Sequence, residues 1–498
     1  MARPWACPPA DVPGLALGLD VGTTGVKALL IDATGEVHAR GSSHHGIAAR
    51  PGVVETRPHD WWSSVCRALE RLGPSVRDVT AAGVTGNMSS VVLLDERLEP
   101  LLDAPLLADA RGQDEIDALP PELAQRITQR TFNRPAAVFS LATLLWLRDQ
   151  RPELLAAGRA WMSAKDYVRL RLTGTVATDV TDAYNSLLIA AGQTDWDFEL
   201  IRALDLPRAV FPEIAPSTAV TGAVSAAAAT ETGLREGTPV VVGAGDMAAA
   251  MVGAGASAPG DVLVSLGTSA TALAALPAPT DPPPWLGALT YHPLPQPGRG
   301  FALASLLTGG LAVNWLRDGL GIEPTLLGPP TGPAADDPLV FLPHLSGTGT
   351  PDFDPHVHGS LLGLRPSTTR NDVVAALFEA IAFELADAID RLDPGPDLRV
   401  VLTGGGTRLR GWAQIIADGL ERPVEIDEQP DASALGAARL AAAGASAENG
   451  TAMLEDRRPQ AICTLTPRTA RRERRERYRA ARALARTYYD STTERRER

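Results

Sequence analysis

The first clear pattern along the chain is an apolar run from Leu15 to Val21, a short polar turn, and a second apolar run over residues 26–31. Apolar runs of this length, bounded by turn residues, predict the two strands of a β-hairpin. The turn is Gly22-Thr23-Thr24-Gly25, and its glycines can take positive φ, which favours a tight connection. Residues 33–36 predict another turn before a third strand, so the pattern indicates a three-stranded meander.

The turn of this hairpin carries groups that are suited to bind phosphate. The hydroxyl groups of Thr23 and Thr24 lie beside backbone N–H groups, an arrangement that cradles phosphate oxygens. Asp20 would repel a bare phosphate, so its position at the end of the first strand indicates a hydrated Mg²⁺ between the two. We predict that Gly22, both threonines and Lys27 bind phosphate and that Asp20 binds the metal. An ordinary hairpin is the alternative, because turn glycines are common.

The second half of the chain repeats this pattern. Over residues 262–271 a strand leads into Gly267-Thr268-Ser269, and aligning the two turns places Ser265 at the position of Asp20. One acidic and one neutral cradle indicate two related halves that close on one nucleotide. A third segment, residues 400–406, is a strand followed by three glycines, and a helical pattern follows over residues 412–420.

These three segments, in this order, resemble the ATPase superfamily of actin, Hsp70 and the sugar kinases. The resemblance implies that the glycine run Gly404-Gly405-Gly406 lies against the adenosine. It also implies that the second cradle, Gly267-Thr268-Ser269, binds the nucleotide's phosphates.

The composition limits the kind of protein further. A chain of 498 residues is too long for one compact core, so two large domains are expected, and 45% hydrophobic residues indicate a folded globular protein. The net charge of −13 argues against a nucleic-acid partner, which needs a basic surface. Residues 1–14 lack the apolar core of a signal peptide, and the uncharged stretch 262–280 is too polar and broken for a membrane helix. Cys7, Cys66 and Cys463 show no metal or redox spacing, so a reduced cytoplasmic protein is expected.

A loop after a buried strand is the first candidate for binding a substrate. An amphipathic helix is predicted to open at Pro58, and a buried strand follows over residues 79–84. Because α/β proteins place ligand groups at the carboxyl ends of parallel strands, the next residues, Asn87, Met88 and Ser89, are substrate-pocket candidates. An ordinary β-turn is the alternative interpretation.

Several short strings resemble the FGGY family of carbohydrate kinases, and in particular its xylulokinases. They are Pro51-Gly-Val-Val-Glu55 with Trp61-Trp62, Asp109-Ala-Arg111, residues 165–174, Thr178-Asp179 and residues 181–184. The resemblance covers roughly residues 15–444. It implies an α/β, two-domain, actin-like ATPase fold of the ribonuclease H-like type, with duplicated halves and a nucleotide cleft between them.

The resemblance also implies how the chain is divided. Residues 14–250 would form an N-terminal FGGY domain on the sugar and Mg²⁺/phosphate side, residues 251–447 a C-terminal FGGY domain on the adenine-nucleotide side, and residues 448–498 a helical tail. Within the second domain, the resemblance implies that Gly310, in the helical stretch 308–316, approaches the nucleotide, with Asn314 one turn later. A core helix opened by flexible glycines is the alternative.

Further helices are predicted over residues 372–392 and 432–443, and the tail is predicted to be helical as well. From Arg468 onward, arginines alternate with glutamates. This pattern favours a solvated helix with i,i+4 ion pairs over a tail that binds nucleic acid.

The segment that carries the chemistry follows another buried strand, residues 240–242, which leads into Gly243, Gly245 and Asp246. Phosphoryl transfer to an alcohol needs a carboxylate that orients the hydroxyl and accepts its proton. The resemblance assigns that role to Asp246, as well as a place near the metal. One alternative is a helix N-cap over residues 247–252, and the two roles can coexist. The other is a dinucleotide fingerprint, which is disfavoured because Asp261 opens the next strand instead of closing it.

The chain departs from the xylulokinase pattern at the sugar. Xylulokinases generally carry glutamine, methionine, histidine and glycine where this chain has Asn87-Met88-Ser89-Ser90, and an amide where it has Met247. The phosphoryl-transfer residues are therefore expected to be intact, while the wall that contacts the sugar is altered, which can change the substrate.

From these observations we expect an ATP-dependent carbohydrate kinase that uses Mg²⁺ and phosphorylates a terminal hydroxyl of a ketose such as xylulose. Asp109 and Met247 join Asp246 and residues 87–89 as predicted substrate contacts. The alternatives are a gluconate or polyol kinase of the glycerol or erythritol type and, in another class, a non-catalytic sugar or nucleotide sensor. The retained Asp20 and Asp246 speak against a sensor, which has no need of a base. The expected partners are a small sugar or polyol and ATP, without nucleic acid or membrane, and a homodimer is the assembly considered.

Overall fold

The computed structural model describes residues 14–323, 336–354, 356–392, 395, 398–427, 429, 431–446, 454 and 463–496. The predictions for the N-terminus, including Cys7, lie outside the described residues. The chain divides into two compact units. The described residues of unit 1 fall within Met1–Gly253, Pro293–Pro297 and Asp431–Arg457. Those of unit 2 fall within Ala254–His292, Gly298–Pro430 and Arg458–Arg498.

Unit 1 is built on one large mixed sheet and also contains smaller sheets of two or three strands. Its strands are β1 Leu15–Val21, β2 Gly25–Ile31, β3 Val37–His44, β4 Ala48–Arg50, β5 Val53–Thr56, β6 Val79–Gly86, β7 Val92–Leu94, β8 Ala104–Pro105, β9 Ala160–Met162, β10 Thr178–Asp179, β11 Ile214–Ala215, β12 Val220–Ala223, β13 Pro239–Val241 and β14 Ala244–Gly245. Its helices are α1 Pro58–Glu70, α2 Gln113–Asp117, α3 Pro121–Thr131, α4 Ser140–Gln150, α5 Pro152–Ala157, α6 Ala164–Thr173, α7 Val180–Ala183, α8 Phe198–Ala203, α9 Ala226–Thr232, α10 Asp246–Gly253 and α14 Ala432–Ala445.

Unit 2 contains a second large mixed sheet and fewer, longer helices. Its strands are β15 Asp261–Leu266, β16 Ala270–Pro277, β17 Thr290–Pro293, β18 Arg299–Leu306, β19 Val340–Leu342, β20 Ser360–Leu362, β21 Arg399–Thr403, β22 Val424–Ile426 and β23 Cys463–Leu465. Its helices are α11 Gly310–Leu320, α12 Arg370–Leu392, α13 Arg410–Leu420 and α15 Arg472–Arg496. In the described ranges, no helix combines the length and the apolar character needed to span a bilayer.

The two large sheets repeat one strand order. In unit 1 the order β3-β2-β1-β6-β13 has two antiparallel pairings followed by two parallel ones. In unit 2 the order β18-β16-β15-β21-β22 has the same four pairings in the same sense. This duplication confirms the predicted fold class, and the meander β1-β2-β3 at the start of the chain is as expected.

The reason for glycine in the first turn differs from the prediction. Neither Gly22 nor Gly25 has positive φ, so that part of the prediction is wrong. A Cβ atom at position 25 would instead lie 2.5 Å from the carbonyl oxygen of Ser43 on the neighbouring strand β3. Glycine is needed here because the two strands approach closely.

The helix α14 belongs with unit 1, although the sequence-based boundary at residue 447 groups it with the second domain. Close contacts at two glycines explain why. A Cβ atom at Gly18 in β1 would lie 1.9 Å from the carbonyl oxygen of Ala434 in α14. A Cβ atom at Gly436 in α14 would lie 1.8 Å from the carbonyl oxygen of Ala249 in α10. The backbone of α14 therefore packs directly on β1 and α10, which requires glycine at these contacts.

The C-terminal helix α15 is present as predicted and many of its described side chains are exposed, but one of its faces packs on α12, which was not predicted. Arg474 is buried and donates from Nε to Oε2 of Glu379 in α12 at 3.0 Å. The hydroxyl of buried Tyr478 donates to Glu384 at 2.6 Å, and further arginines pair with Asp387. A row of carboxylates on α12 thus attracts the arginines, and α15 is part of unit 2.

Candidate active site

Three neighbouring parallel strands of unit 1 bring the predicted catalytic residues to one edge. In the register of the sheet, Asp20 of β1 and Ala244 of β14 both pair with Thr85 of β6, and the next step pairs Val21 and Gly245 with Gly86. Asp246 follows β14 directly, and the loop after β6 starts at Asn87. The prediction that ligand groups gather at the carboxyl ends of parallel strands agrees with this register.

Asp246 is the first residue of α10, and its Oδ1 accepts the backbone N–H of Met247 at 2.8 Å. The helix predicted over residues 247–252 is therefore present, and this local hydrogen bond leaves the other carboxylate oxygen for further contacts. The positive end of the helix dipole also favours a negative charge at this position.

Burial shapes the charge at this edge. Burial is the main factor that raises the pKa of Asp246 to about 7, and the nearby carboxylate of Asp20 adds to the effect. Burial also raises the pKa of Asp20 to about 6, with a smaller contribution from Asp431 and an opposing one from Lys27. A carboxylate with a pKa near neutrality is suited to accept a proton during a reaction.

Lys27 and Asp431 complete this acidic edge. Lys27 lies directly opposite Asp20 on the paired strands β1 and β2, so the two side chains share a face. The Nζ atom of Lys27 lies 3.2 Å from Oδ1 of Asp431, which immediately precedes α14. Sequence reasoning missed Asp431 because about 400 residues separate it from Lys27, and its only local signal is its position before a helix.

The turn between β1 and β2 is fixed from one side by His45, which the sequence reasoning also missed. The backbone N–H of His45 donates to the carbonyl of Thr24 at 3.1 Å, and its ring Nε2 donates to that of Thr23 at 3.0 Å. Burial lowers the pKa of His45, which favours the neutral ring. Both threonine side chains remain exposed, so their hydroxyl groups are free to face a ligand.

The predicted substrate loop contacts the Asp246 segment through Met88. A Cβ atom added to Gly245 would lie 3.0 Å from Cγ of Met88, so the Met88 side chain packs on the residue before Asp246. Asn87 is buried, and its Nδ2 donates to the carbonyl of Val21 at 3.0 Å, while its Oδ1 has no hydrogen-bond partner among the described residues. An unsatisfied buried acceptor is costly, so a donor from a ligand would stabilise it.

Ser89 adopts an unusual backbone conformation in this loop. Its φ is 67°, in the left-handed region, and its hydroxyl accepts a hydrogen bond from Nδ2 of Asn185 at 3.1 Å. Such strain in a non-glycine residue is a marker of functional sites. Asn185 was not predicted, and the sequence offers no signal for it because it lies in a short 3₁₀ turn far along the chain.

Asp109 makes a different set of contacts from the other predicted substrate residues. Its carboxylate accepts the backbone N–H of Val54 at 2.8 Å and two donors of Arg111 at 2.8 and 2.7 Å. Arg111 also pairs with Glu55. These bonds occupy the Asp109 carboxylate, so its assignment to the substrate stays a prediction, and a structural role is supported by the contacts. Met247 is half-buried beside Asp246.

Unit 2 carries the second cradle, with one residue fewer in the turn. Leu266 pairs with Ala270, so three residues connect β15 and β16, whereas four connect Val21 to Val26. Ser265 stands opposite Thr271, where the first cradle has Asp20 opposite Lys27. The second cradle therefore replaces a charged pair by two hydroxyl groups.

The start of α11 lies against this second turn. The backbone N–H of Gly310 donates to the carbonyl of Gly267 at 2.7 Å, and that of Leu311 donates to Thr268 at 2.9 Å. Asn314 is exposed one helical turn later, on the same face as Gly310. The structure thus brings the predicted residues 267–269 and 310 together, although the helix begins at Gly310 rather than at residue 308.

The predicted glycine run also lies beside this turn. Gly404 has a φ of 93°, and a Cβ atom there would lie 2.8 Å from the carbonyl oxygen of Leu266. Gly405 is exposed, and a Cβ atom at Gly406 would meet the ring of Trp412. Gly405 therefore leaves an open backbone surface just after β21, while Gly404 and Gly406 are glycines because their neighbours approach closely.

No three His, Cys, Asp or Glu side chains in the described part of the chain are arranged to hold a metal ion on their own. The residues at the edge of unit 1 nevertheless fit Mg²⁺, because Asp20 and Asp246 are hard oxygen ligands that lie near each other. Mg²⁺ usually keeps several waters and binds through one or two carboxylates together with substrate phosphates. Asp20 and Asp246 would supply those carboxylates.

The repeated strand order and the acidic strand edge define a two-domain α/β protein of the actin-like ATPase class. Comparison with known proteins narrows this class. The family model for the N-terminal domain of the FGGY family of carbohydrate kinases matches residues 15–253, and the model for its C-terminal domain matches residues 262–445. The chain belongs to the FGGY family of carbohydrate kinases.

Individual relatives agree with the family. The chain is 32% identical over 444 residues to a xylulose kinase of Escherichia coli, covering 87% of this chain and 90% of that one. It is 33% identical over 446 residues to a xylulose kinase of Streptomyces coelicolor, covering 88% and 90%. A solved xylulose kinase structure from Brucella ovis matches with a TM-score of 0.85 and 29% identity over 96% of this chain and 99% of that one. The predicted family and fold are confirmed, and the dinucleotide-binding alternative is excluded.

Proposed function

We propose that this FGGY carbohydrate kinase transfers the γ-phosphoryl group of MgATP to a terminal hydroxyl of a ketose such as xylulose, with Asp246 as the base. The observation that carries the proposal is the Asp246 carboxyl at the edge of unit 1, whose pKa burial and Asp20 raise to about 7. A carboxylate of this basicity accepts a proton from an alcohol more readily than an exposed aspartate does. The relatives named xylulose kinases support the choice of sugar.

In this proposal Asp246 orients the acceptor hydroxyl and takes its proton as the phosphoryl group is transferred. The bond between the γ-phosphorus and the bridging oxygen breaks, the bond to the sugar oxygen forms, and ADP leaves. Asp20 would hold the Mg²⁺ of the nucleotide, which supplies the positive charge that neutralises phosphate oxygens. Lys27, opposite Asp20, adds a positive charge on the same face.

The residues that differ from the xylulokinase pattern, in the loop from Asn87 and at Met247, affect which sugar is preferred. Met88 packs against Gly245, the residue before Asp246, and Met247 is the residue after Asp246. Two thioether side chains therefore lie next to the proposed base in the structure or in the sequence. Ser89 has its hydroxyl bonded to Asn185. These groups offer few directional partners to a hydroxyl-rich sugar, whereas Oδ1 of Asn87, which has no partner among the described residues, offers one acceptor. A gluconate or polyol substrate is therefore the alternative within the family.

A non-catalytic sensor is the alternative in another class, and the basicity of Asp246 speaks against it. The experiment that tests all three is an ADP-release assay across ketoses, aldonates and polyols, with Asp246→Ala as the matched control. We expect turnover of a pentulose by the unmodified protein and none by the variant. Turnover of aldonates or polyols alone would refute the ketose assignment, and ligand binding without ADP release would favour the sensor.

A further inference from the structure

A buried network of charged side chains lies beside the segment that carries Asp246. Lys165, at the start of α6, is fully buried, and its Nζ lies 2.6 Å from Oδ1 of Asp166 and 3.1 Å from Oδ1 of Asp179. Asp182 lies 3.8 Å away and accepts a hydrogen bond from Ser163. Three carboxyl groups and one ammonium group are thus enclosed together.

The network reaches the Asp246 segment through Thr181. The hydroxyl of Thr181 donates to Oδ2 of Asp179 at 2.7 Å and accepts the backbone N–H of Gly245 at 2.9 Å. The carbonyl of Ala244 accepts from the hydroxyl of Thr85 at 2.7 Å. Side-chain hydroxyl groups therefore hold the two residues before Asp246 from both sides, in a strand only two residues long.

A second hydroxyl binds the same carboxylate without reaching Gly245. The Oγ of Ser217 donates to Oδ2 of Asp179 at 2.7 Å. Ser217 is as buried as Thr181, but the described hydrogen bonds of its hydroxyl do not extend to the Asp246 segment. The chain thus provides a matched pair of hydroxyl groups, one connected to Gly245 and one not.

Stability alone does not explain such a network. Enclosing charges is expensive, and well-packed apolar residues in place of a buried ion pair are often as stable or more so. Breaking one member is costly, however, so the network fixes its own geometry firmly. A rigid network next to a short strand is suited to hold that strand at a defined position.

We propose that Thr181, oriented by Asp179 and Lys165, is a positioning residue that holds the Gly245 peptide and thereby sets the Asp246 carboxylate for phosphoryl transfer. The role in transfer rests on the proposed function of Asp246 as the base, whereas the anchoring of Gly245 does not. Phosphoryl transfer depends strongly on alignment, so a small displacement of the base lowers the rate without removing any contact to the nucleotide.

The test compares Thr181→Val, which keeps the shape and removes the hydroxyl, with Thr181→Ser, which keeps the hydroxyl. We expect the valine variant to lower kcat by about 10- to 100-fold, while the KM for ATP is unchanged and the serine variant restores kcat. Thr181→Ala is measured beside it because it removes the hydroxyl without placing a methyl group against Gly245. Ser217→Ala is the control, since it removes a hydrogen bond to the same carboxylate and should leave kcat unchanged.

A second measurement tests the anchoring without relying on activity. Because the amide of Gly245 donates to Thr181, its hydrogen exchange should be faster by about twofold to tenfold in Thr181→Val and Thr181→Ala, as expected for one lost hydrogen bond. Unchanged exchange in both variants would overturn the proposal, and so would an equal loss of kcat in the serine and valine variants. Full activity of Asp246→Ala would refute the proposed base instead, and the exchange result would still decide whether Thr181 anchors Gly245.

Discussion

The acid limb of the pH–rate profile provides a direct test of Asp246 as the base. A base must be deprotonated to act, and burial together with Asp20 raises the pKa of Asp246 to about 7. We therefore expect the rate to fall about tenfold per pH unit below this value, so that at pH 5 it is about one hundredth of the plateau. An ordinary aspartate, with a pKa near 3.8, would remain almost fully active at pH 5.

The measurement is the initial rate between pH 5 and 9 with both substrates well below their KM, because this condition reports groups of the free enzyme. Asp20→Asn should move the limb to lower pH, since the Asp20 carboxylate is one cause of the raised pKa of Asp246. A profile that is flat from pH 5 to 8 in the unmodified protein would refute the reasoning. A limb that is unchanged in Asp246→Asn would show that it belongs to another group.

Stability should depend on pH in the opposite sense. The native state binds a proton at Asp246 up to about pH 7, whereas the unfolded chain loses it near 3.8, so the native state binds more protons between these values. The contribution of Asp246 to stability is therefore fully present below pH 3.8 and is lost as pH rises to about 7. Thermal unfolding of Asp246→Asn, compared with the unmodified protein across this window, should show a smaller decline.

Three further predictions address the metal, the sugar and the tail. Asp20→Asn should raise the Mg²⁺ concentration needed for half-maximal turnover, because an amide binds hydrated Mg²⁺ less well than a carboxylate does; titrations that overlay would make Asp20 structural. Ser89→His combined with Met247→Asn should raise kcat/KM for D-xylulose by restoring polar contacts, each worth about 0.5–1.5 kcal/mol. Fast turnover of D-xylulose with a low KM by the unmodified protein would contradict this prediction. Glu379→Gln should destabilise unit 2 by about 3 kcal/mol, because the substitution leaves the Arg474 charge buried without its carboxylate partner. Calorimetry measures the unfolding temperature, and an unchanged value in the variant would contradict this prediction.

The sequence predicted much of the fold because its signals are local. The hairpin around Asp20, the strand before Asn87 and the helix after Asp246 each follow from apolar runs bounded by turn residues, and the structure contains all three. The presence of two related halves followed from recognising a repeat, whereas the order of the strands within each sheet was not predicted. Local patterns also located the helices α12 and α14, each with one end shifted by two residues, as helix boundaries commonly are.

What escaped prediction depends on contacts between distant parts of the chain. The pairing of Lys27 with Asp431, the bond from Asn185 to Ser89, and the packing of α14 on Gly18 all join residues that are far apart in sequence. The contacts of the C-terminal helix were missed for the same reason, because the sequence suggested partners for its arginines only within their own helix. In the structure, the carboxylates of another helix are nearer, as Arg474 and Glu379 show.

The two related cradles differ in the charge of the residues paired beside the turn. In unit 1 the paired position holds Asp20 and Lys27, and Asp431 lies near both and also pairs with Arg40, so acidic and basic side chains gather at this edge. In unit 2 the equivalent pair is Ser265 and Thr271, which can donate hydrogen bonds to an anion without any cation. A carboxylate introduced alone at position 265 would face Thr271 instead of a lysine, so no opposite charge across the strand pair would offset its repulsion of a phosphate. The neutral cradle of unit 2 is therefore the better suited of the two to bind an anion without a metal ion, in line with the proposed place of Mg²⁺ in unit 1.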